Sequence, residues 1–314
     1  IGYANFAMGN MEESAEAFDE FVRDYTKRDD YLFDAQNRIG DARFTLREFG
    51  AARNAYKISI ASSSECRHYA RYQLAMLEGI DKKQTKKVEL LKTIVLDGVG
   101  DYVDDAWYEL GRTHIAAERY AQGAETLQDF VDSDSSSPYY VSAMSNLALA
   151  YYNLGRKNEA IACYEKVVEY DPQSASALEA IRSLRDIYVK EDRIDDYFAY
   201  AERSGVQSDM STAARDSLTF AAAKNVYLAG DMGEARTKLT NYLRSFEKGY
   251  NRTEALFYLS DCHINLEDKP SALETMEELL AQGLNQYTER VLGVYADMSY
   301  DMKQFAKSAE AYRS

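Results

Sequence analysis

Apolar and polar residues alternate along the chain with the 3.6-residue period of helices, in pairs of segments that recur every 35 to 38 residues. The clearest pair spans 143–172, AMSNLALAYYNLGRKNEAIACYEKVVEYDP. Ala148 and Ala160 are small enough for two antiparallel helices to touch there, and Leu147, Tyr151, Tyr164 and Val167 supply the bulk around the contact. Gly155 marks the turn, which predicts helices over 142–154 and 158–170. Asp171-Pro172 ends the second helix, because proline has no N–H and clashes with the preceding turn.

Three columns of this pair extend through nine units. A small-residue column runs Ser14, Ala52, Lys87, Gly123, Ala160, Tyr197, Ala235, Ala272 and Ser308. Twelve residues earlier stand Gly2, Gly40, Ala75, Gly111, Ala148, Arg185, Ala223, Ser260 and Ala296. The residue before each of these is apolar throughout, from Ile1 to Tyr295. A lone helical hairpin cannot bury its apolar stripe, whereas stacked hairpins cover one another. The third unit carries a basic run, Lys82 to Lys87, which reads as a solvated turn and helix start. The sixth breaks both small columns at once with Arg185 and Tyr197, so its two helices are expected to splay or shift register. The polar joint from Ser204-Gly205 to Ser211 follows as an expected hinge.

The unit at 143–172 resembles a tetratricopeptide repeat, matching that family's Leu-Gly/Ala-Tyr…Ala…Phe/Tyr…Pro pattern. In the family's numbering the small columns fall at positions eight and twenty, and Trp107 stands where the family has its tryptophan, a core position. The resemblance implies an all-α fold, a right-handed α-α superhelical solenoid of about nine hairpins with the first and last incomplete. Units one to six fill 1–204 and units seven to nine fill 205–314, as one continuous solenoid and a piece of a longer protein. It also implies a non-enzymatic scaffold that binds a protein or peptide in a concave groove. The units are longer than the family's usual 34 residues, with the extension between hairpins. That loop style, with the segment IYVKEDRIDDYFAYAE, is similar to repeat proteins of the bacterial cell envelope, including the Tol–Pal-associated and outer-membrane assembly types. The expected location is therefore the periplasm or cell envelope, with the cytoplasm as the alternative. An intracellular sensor that controls an attached output domain is the rival function, and an enzyme with its active domain outside this stretch is a third.

Charge narrows the partners. Lys+Arg 37 against Asp+Glu 52 gives a net −15, a field that repels nucleic acid and anionic membranes. No apolar run approaches the 18 or so residues that span a bilayer, so no direct membrane insertion is expected. Cys66, Cys163 and Cys262 lie about a hundred residues apart, too far for disulfides between units of an array, and Cys163 and Cys262 read as small buried residues. His114 and His263 fall in a packing column. No phosphate loop, paired-histidine metal motif or nucleophile elbow occurs, so no catalytic residue, metal or cofactor is expected. Asn251-Arg252-Thr253 is a lone glycosylation sequon.

The first-helix positions that face the family's groove hold many rings: Tyr3, Phe6, Phe44, Tyr69, Tyr72, Tyr108, Tyr152, Phe220, Phe257 and Tyr300. Aromatic residues are favoured at interfaces. The candidate partner-binding set is Tyr72, Tyr108, Arg112, Tyr152, Arg182, Phe220 and Phe257. Asn37, Arg112, Arg182 and Lys190 do not reproduce the spacing with which family members clamp a chaperone's C-terminal carboxylate. The incomplete ends leave apolar seams without a polar cap, so end-to-end self-association is expected at high concentration.

Overall fold

The computed structural model describes residues 1–62, 66–204 and 211–313. Among these residues there are eighteen helices and no strand. The chain divides into two compact units, Ile1–Ala180 and Ile181–Ser314. The first holds α1 (Gly2–Met8), α2 (Met11–Asp24), α3 (Asp30–Thr45), α4 (Phe49–Ile60), α5 (Cys66–Ile80), α6 (Gln84–Asp97), α7 (Val103–Ala116), α8 (Tyr120–Ser133), α9 (Tyr140–Asn153) and α10 (Lys157–Tyr170). The boundary falls inside α11 (Ala175–Lys190). The second unit continues with α12 (Ile194–Ser204), α13 (Thr212–Leu228), α14 (Met232–Ser245), α15 (Arg252–Asn265), α16 (Lys269–Leu280), α17 (Thr288–Asp301) and α18 (Phe305–Ala311). The fold is thus an α-α repeat solenoid, as the column register predicts.

From α1 to α10 and from α12 to α18 each helix packs on its successor, and consecutive first helices touch, as α7 does α9 and α13 does α15. The small columns are where paired helices cross. Gly40 lies so close to Tyr56 that a Cβ would stand 2.4 Å from its Cε1, and a Cβ on Gly111 would stand 2.4 Å from Leu127 Cδ2. Ala52, Ala148, Ala160, Ala235 and Ala272 are all fully buried. Lys87 is tolerated in this column because its stem runs along Gly79 while its ammonium reaches Glu109 at 2.6 Å. Lys83 is the N-cap residue of α6, so the basic run is a helix start as read. Pro270 sits in the first turn of α16, where a missing N–H costs little.

The turn inside each hairpin uses one left-handed residue. Gly9, Gly155 and Gly230 take it at φ 83, 74 and 88. Arg47, Lys82, Glu118, Asp192, Glu267 and Lys303 take the same place at φ 56 to 62, although a Cβ makes that conformation roughly 1–2 kcal/mol unfavourable. The tertiary crossing therefore imposes the turn even where the residue type opposes it.

In the sixth hairpin Tyr197 is buried and Arg185 is half-buried beside Asp186 at 3.2 Å. A cleft of about 380 Å³ opens between these two side chains and Ala213, Ala214, Ser217 and Leu218 of α13. Bulk in both small columns thus accompanies a gap in the packing. The expected hinge over 205–210 lies outside the described residues. Trp107, read as a core residue, is half-buried, its ring stacked at 6.5 Å on the fully buried Phe130. Cys163 and Cys262 are buried thiols, and burial pushes both up to about 11.

His114 is 3% exposed. Burial, with Arg119 and Lys92 nearby, pulls its imidazole down to about 4. A base whose folded value lies below its unfolded value of about 6.5 is protonated preferentially in the unfolded chain. Stability should therefore fall as pH drops through about 6.5 toward 4, by up to about 3 kcal/mol from this group, and change no further below. Denaturation midpoints of parent and His114→Gln at several pH values check it: the difference between them should shrink on acidification. A constant difference would show that His114 does not titrate in that window.

Candidate functional site

The face built by the first helices carries most of the expected binding residues, and its rings are arranged by a contact that recurs. A ring at position five of one first helix meets the tyrosine that precedes the next first helix. Tyr72 lies 5.8 Å from Tyr102, Tyr108 stacks on Tyr139 at 5.0 Å and 17°, and Phe257 stacks on Tyr287 at 4.4 Å and 16°. Tyr102, Tyr139 and Tyr287 are the N-cap residues of α7, α9 and α17, and none caps its helix with its side chain. Their rings close the seam between consecutive hairpins instead. Tyr139 also donates its hydroxyl to Asp105 at 2.6 Å, and that bond is the main reason its phenol is pushed up to about 12.

These three tyrosines were not among the sequence candidates, yet a signal existed. Each stands nine residues before the small position-eight residue, Gly111, Ala148 or Ala296, and Tyr31 bears the same relation to Gly40.

In the first unit, Tyr72, Tyr108, Arg112 and Tyr152 lie on α5, α7 and α9. Burial pushes the Tyr72 phenol well up, and the Asp105 and Glu109 carboxylates add to the shift. The Arg112 guanidinium sits over the Tyr108 ring at 5.7 Å with its side chain 52% exposed, and Nε is 3.5 Å from Glu109. Lys87 holds the other Glu109 oxygen at 2.6 Å, so Arg112 is only loosely engaged. Tyr152 is half-buried, and Leu149, one turn before it on α9, is 41% exposed.

The second unit treats its candidates differently. Arg182 is exposed on α11. Phe220 is 5% exposed, closed in by Tyr242 at 5.4 Å, Tyr258 at 6.4 Å and the Lys224 ammonium at 5.8 Å. Phe257 is half-buried, with Tyr287 stacked against it and Arg290 over its ring at 5.1 Å. Lys224 pairs with Glu254 at 2.7 Å, and Tyr227 donates to Asp261 at 2.6 Å. The charged groups of this face are therefore largely paired with one another.

Sequence-family comparison agrees with the register. Two tetratricopeptide-repeat family models match, one over residues 141–174 and the other over 254–282. The chain contains tetratricopeptide repeats. The first match covers all but the first residue of the α9–α10 hairpin, and the second all but the first two residues of the α15–α16 hairpin. No curated protein matches the chain. Among solved structures, BtubC from P. vanneervenii is 14% identical, covers 63% of this chain and 87% of its own, and superposes with a TM-score of 0.50. A tetratricopeptide repeat protein from Parabacteroides merdae is 13% identical over 83% of this chain and 95% of its own, with a TM-score of 0.48. YrrB, described as a tetratricopeptide-repeat protein with an unusual peptide-binding site, is 18% identical over 62% and 95%, with a TM-score of 0.47. At these identities the likeness concerns the fold alone. Tetratricopeptide-repeat arrays are in general non-enzymatic, and this one is a protein–protein interaction scaffold.

Proposed function

We propose that the first-helix face of α5, α7 and α9 docks an extended peptide or a segment of a partner protein, and that the chain acts there without catalysis. The observation that carries this reading is the loosely held Arg112 guanidinium lying over the stacked Tyr108–Tyr139 pair. Rings locked by stacking lose little freedom when a partner arrives, and tyrosine and arginine dominate interface hot spots. A half-exposed guanidinium adds a donor for a backbone carbonyl or a carboxylate. The net charge of −15 favours protein over nucleic acid as the partner.

Tyr108 also closes a seam between hairpins, so its truncation would mix binding with stability. Arg112→Ala combined with Tyr152→Ala is the cleaner test. Affinity for a peptide selected from a random display library on the intact chain should fall by more than about tenfold. A selected peptide that binds this double variant as tightly as the parent places the docking surface elsewhere. The periplasmic location is proposed from the style of the loops between hairpins, and cell fractionation tests it.

A further inference from the structure

First helices of neighbouring hairpins meet through a polar contact that recurs. It joins position nine of one first helix to position two of the next, which stands six residues before the position-eight residue. Tyr3 donates its hydroxyl to Asp34, the Tyr69 hydroxyl donates to Asp41 Oδ1 at 2.6 Å, and the Lys224 ammonium donates to Glu254 Oε1 at 2.7 Å. In each case a carboxylate on one helix meets a donor on its neighbour. Between α5 and α7 the same two positions hold Met76 and Asp105. A thioether donates no hydrogen bond, so Asp105 receives none from α5 at this position. Its Oδ1 accepts the Tyr139 hydroxyl, and no cation pairs with it among the described residues.

The α13–α15 seam shows the arrangement with its cation in place. Lys224 lies over the Phe220 ring at 5.8 Å and the Tyr258 ring at 5.5 Å while it pairs with Glu254. Phe220 stands at position five of α13, as Tyr72 does of α5. The α5–α7 seam has rings and a carboxylate without the cation. Tyr72 lies 5.8 Å from Tyr102, and Tyr139, which donates to Asp105, stacks on Tyr108. Burial pushes the Tyr72 and Tyr102 phenols up, and the Asp105 carboxylate adds to both shifts. Arg112, on the same helix as Asp105, leans on the Tyr108 ring and on Glu109 instead.

We propose that the face of α5, α7 and α9 takes a partner segment carrying a lysine or arginine, whose cation pairs with Asp105 beside the Tyr72 and Tyr139 rings, as Lys224 pairs with Glu254. This rests on the reading of that face as a docking surface and adds the chemistry of what docks. Asp105 is half-buried and holds one neutral donor. A charged donor makes a stronger hydrogen bond than a neutral one, and a cation over a tyrosine face adds to the pair. The net charge of −15 draws a basic segment toward the chain. Arg112, about two turns further along α7, is left for a carbonyl or carboxylate of the same segment.

Peptides selected from a random display library on the intact chain test it in two steps. Binding that is lost in Arg112→Ala with Tyr152→Ala assigns a peptide to the docking face, and such peptides should share one lysine or arginine position. Asp105→Asn, which can still accept the Tyr139 hydroxyl, should then weaken such a peptide by roughly five- to tenfold, and exchanging the peptide's lysine for methionine should weaken it as much. The two changes together should cost no more than either alone, because they break one pair. Met76→Lys supplies the cation from within the chain and should weaken the lysine peptide as Asp105→Asn does. Peptides that depend on Arg112 and Tyr152 but share no basic position, or that bind Asp105→Asn as tightly as the parent, overturn this proposal and leave the docking face standing. Peptides indifferent to Arg112 and Tyr152 overturn both.

Discussion

Tyr242→Ala should destabilise the second unit by about 5 kcal/mol, the largest single-residue effect expected in this chain. Tyr242 is fully buried at the centre of the cluster formed with Phe220, Leu239, Leu256 and Met276. Its hydroxyl donates to Asp216, which is itself only 5% exposed, and accepts the Asn251 N–H at 3.2 Å. Removing the ring opens a cavity, which typically costs about 3–5 kcal/mol for a large aromatic. The Asp216 carboxylate then loses one of its donors, keeping the Tyr250 N–H at 2.6 Å, and an under-satisfied buried acceptor costs about 1–3 kcal/mol more. Tyr242→Phe keeps the ring and isolates the second contribution. Urea unfolding, with hydrogen exchange of α13 to α16 as a local probe, should rank parent, Phe and Ala in that order. An Ala variant within about 1 kcal/mol of the parent would mean that the cluster closes over the gap.

Gly111→Leu should cost about 3 kcal/mol, at the upper end of the overpacking range. Even the Cβ would stand 2.4 and 2.5 Å from Leu127 Cδ2 and Cγ, and Leu127 is fully buried. Gly293, also within a helix, has open space where its Cβ would be. Gly293→Ala should therefore stabilise by about 0.5–1 kcal/mol, through the lower backbone entropy of the unfolded chain. Thermal midpoints moving in opposite directions for the two glycines check the pair. A neutral Gly111→Leu would displace the register on which the hairpin assignment rests.

The candidate site was only partly legible, for a reason that Phe220 and Tyr108 make plain. Both stand at position five of a first helix, and by sequence both read as rings on the groove face. Phe220 is closed in by Tyr242, Tyr258 and Lys224, whereas Tyr108 is half-buried on Tyr139 beneath an exposed Arg112. Helical periodicity records which side of a helix is apolar. A ring at the edge of that side is covered or left open by residues some thirty positions away.

By itself the sequence determined the hairpins, their spacing and the crossing points, because small residues and apolar stripes are local, periodic demands that recur through the array. It also placed Pro270 at a helix start. Only the tertiary structure decided that six non-glycine residues adopt the left-handed turn, and that tyrosines before α7, α9 and α17 stack across hairpin seams. Each of these depends on the close approach of helices that are separate in sequence, and that approach supplies the packing energy that local preference lacks.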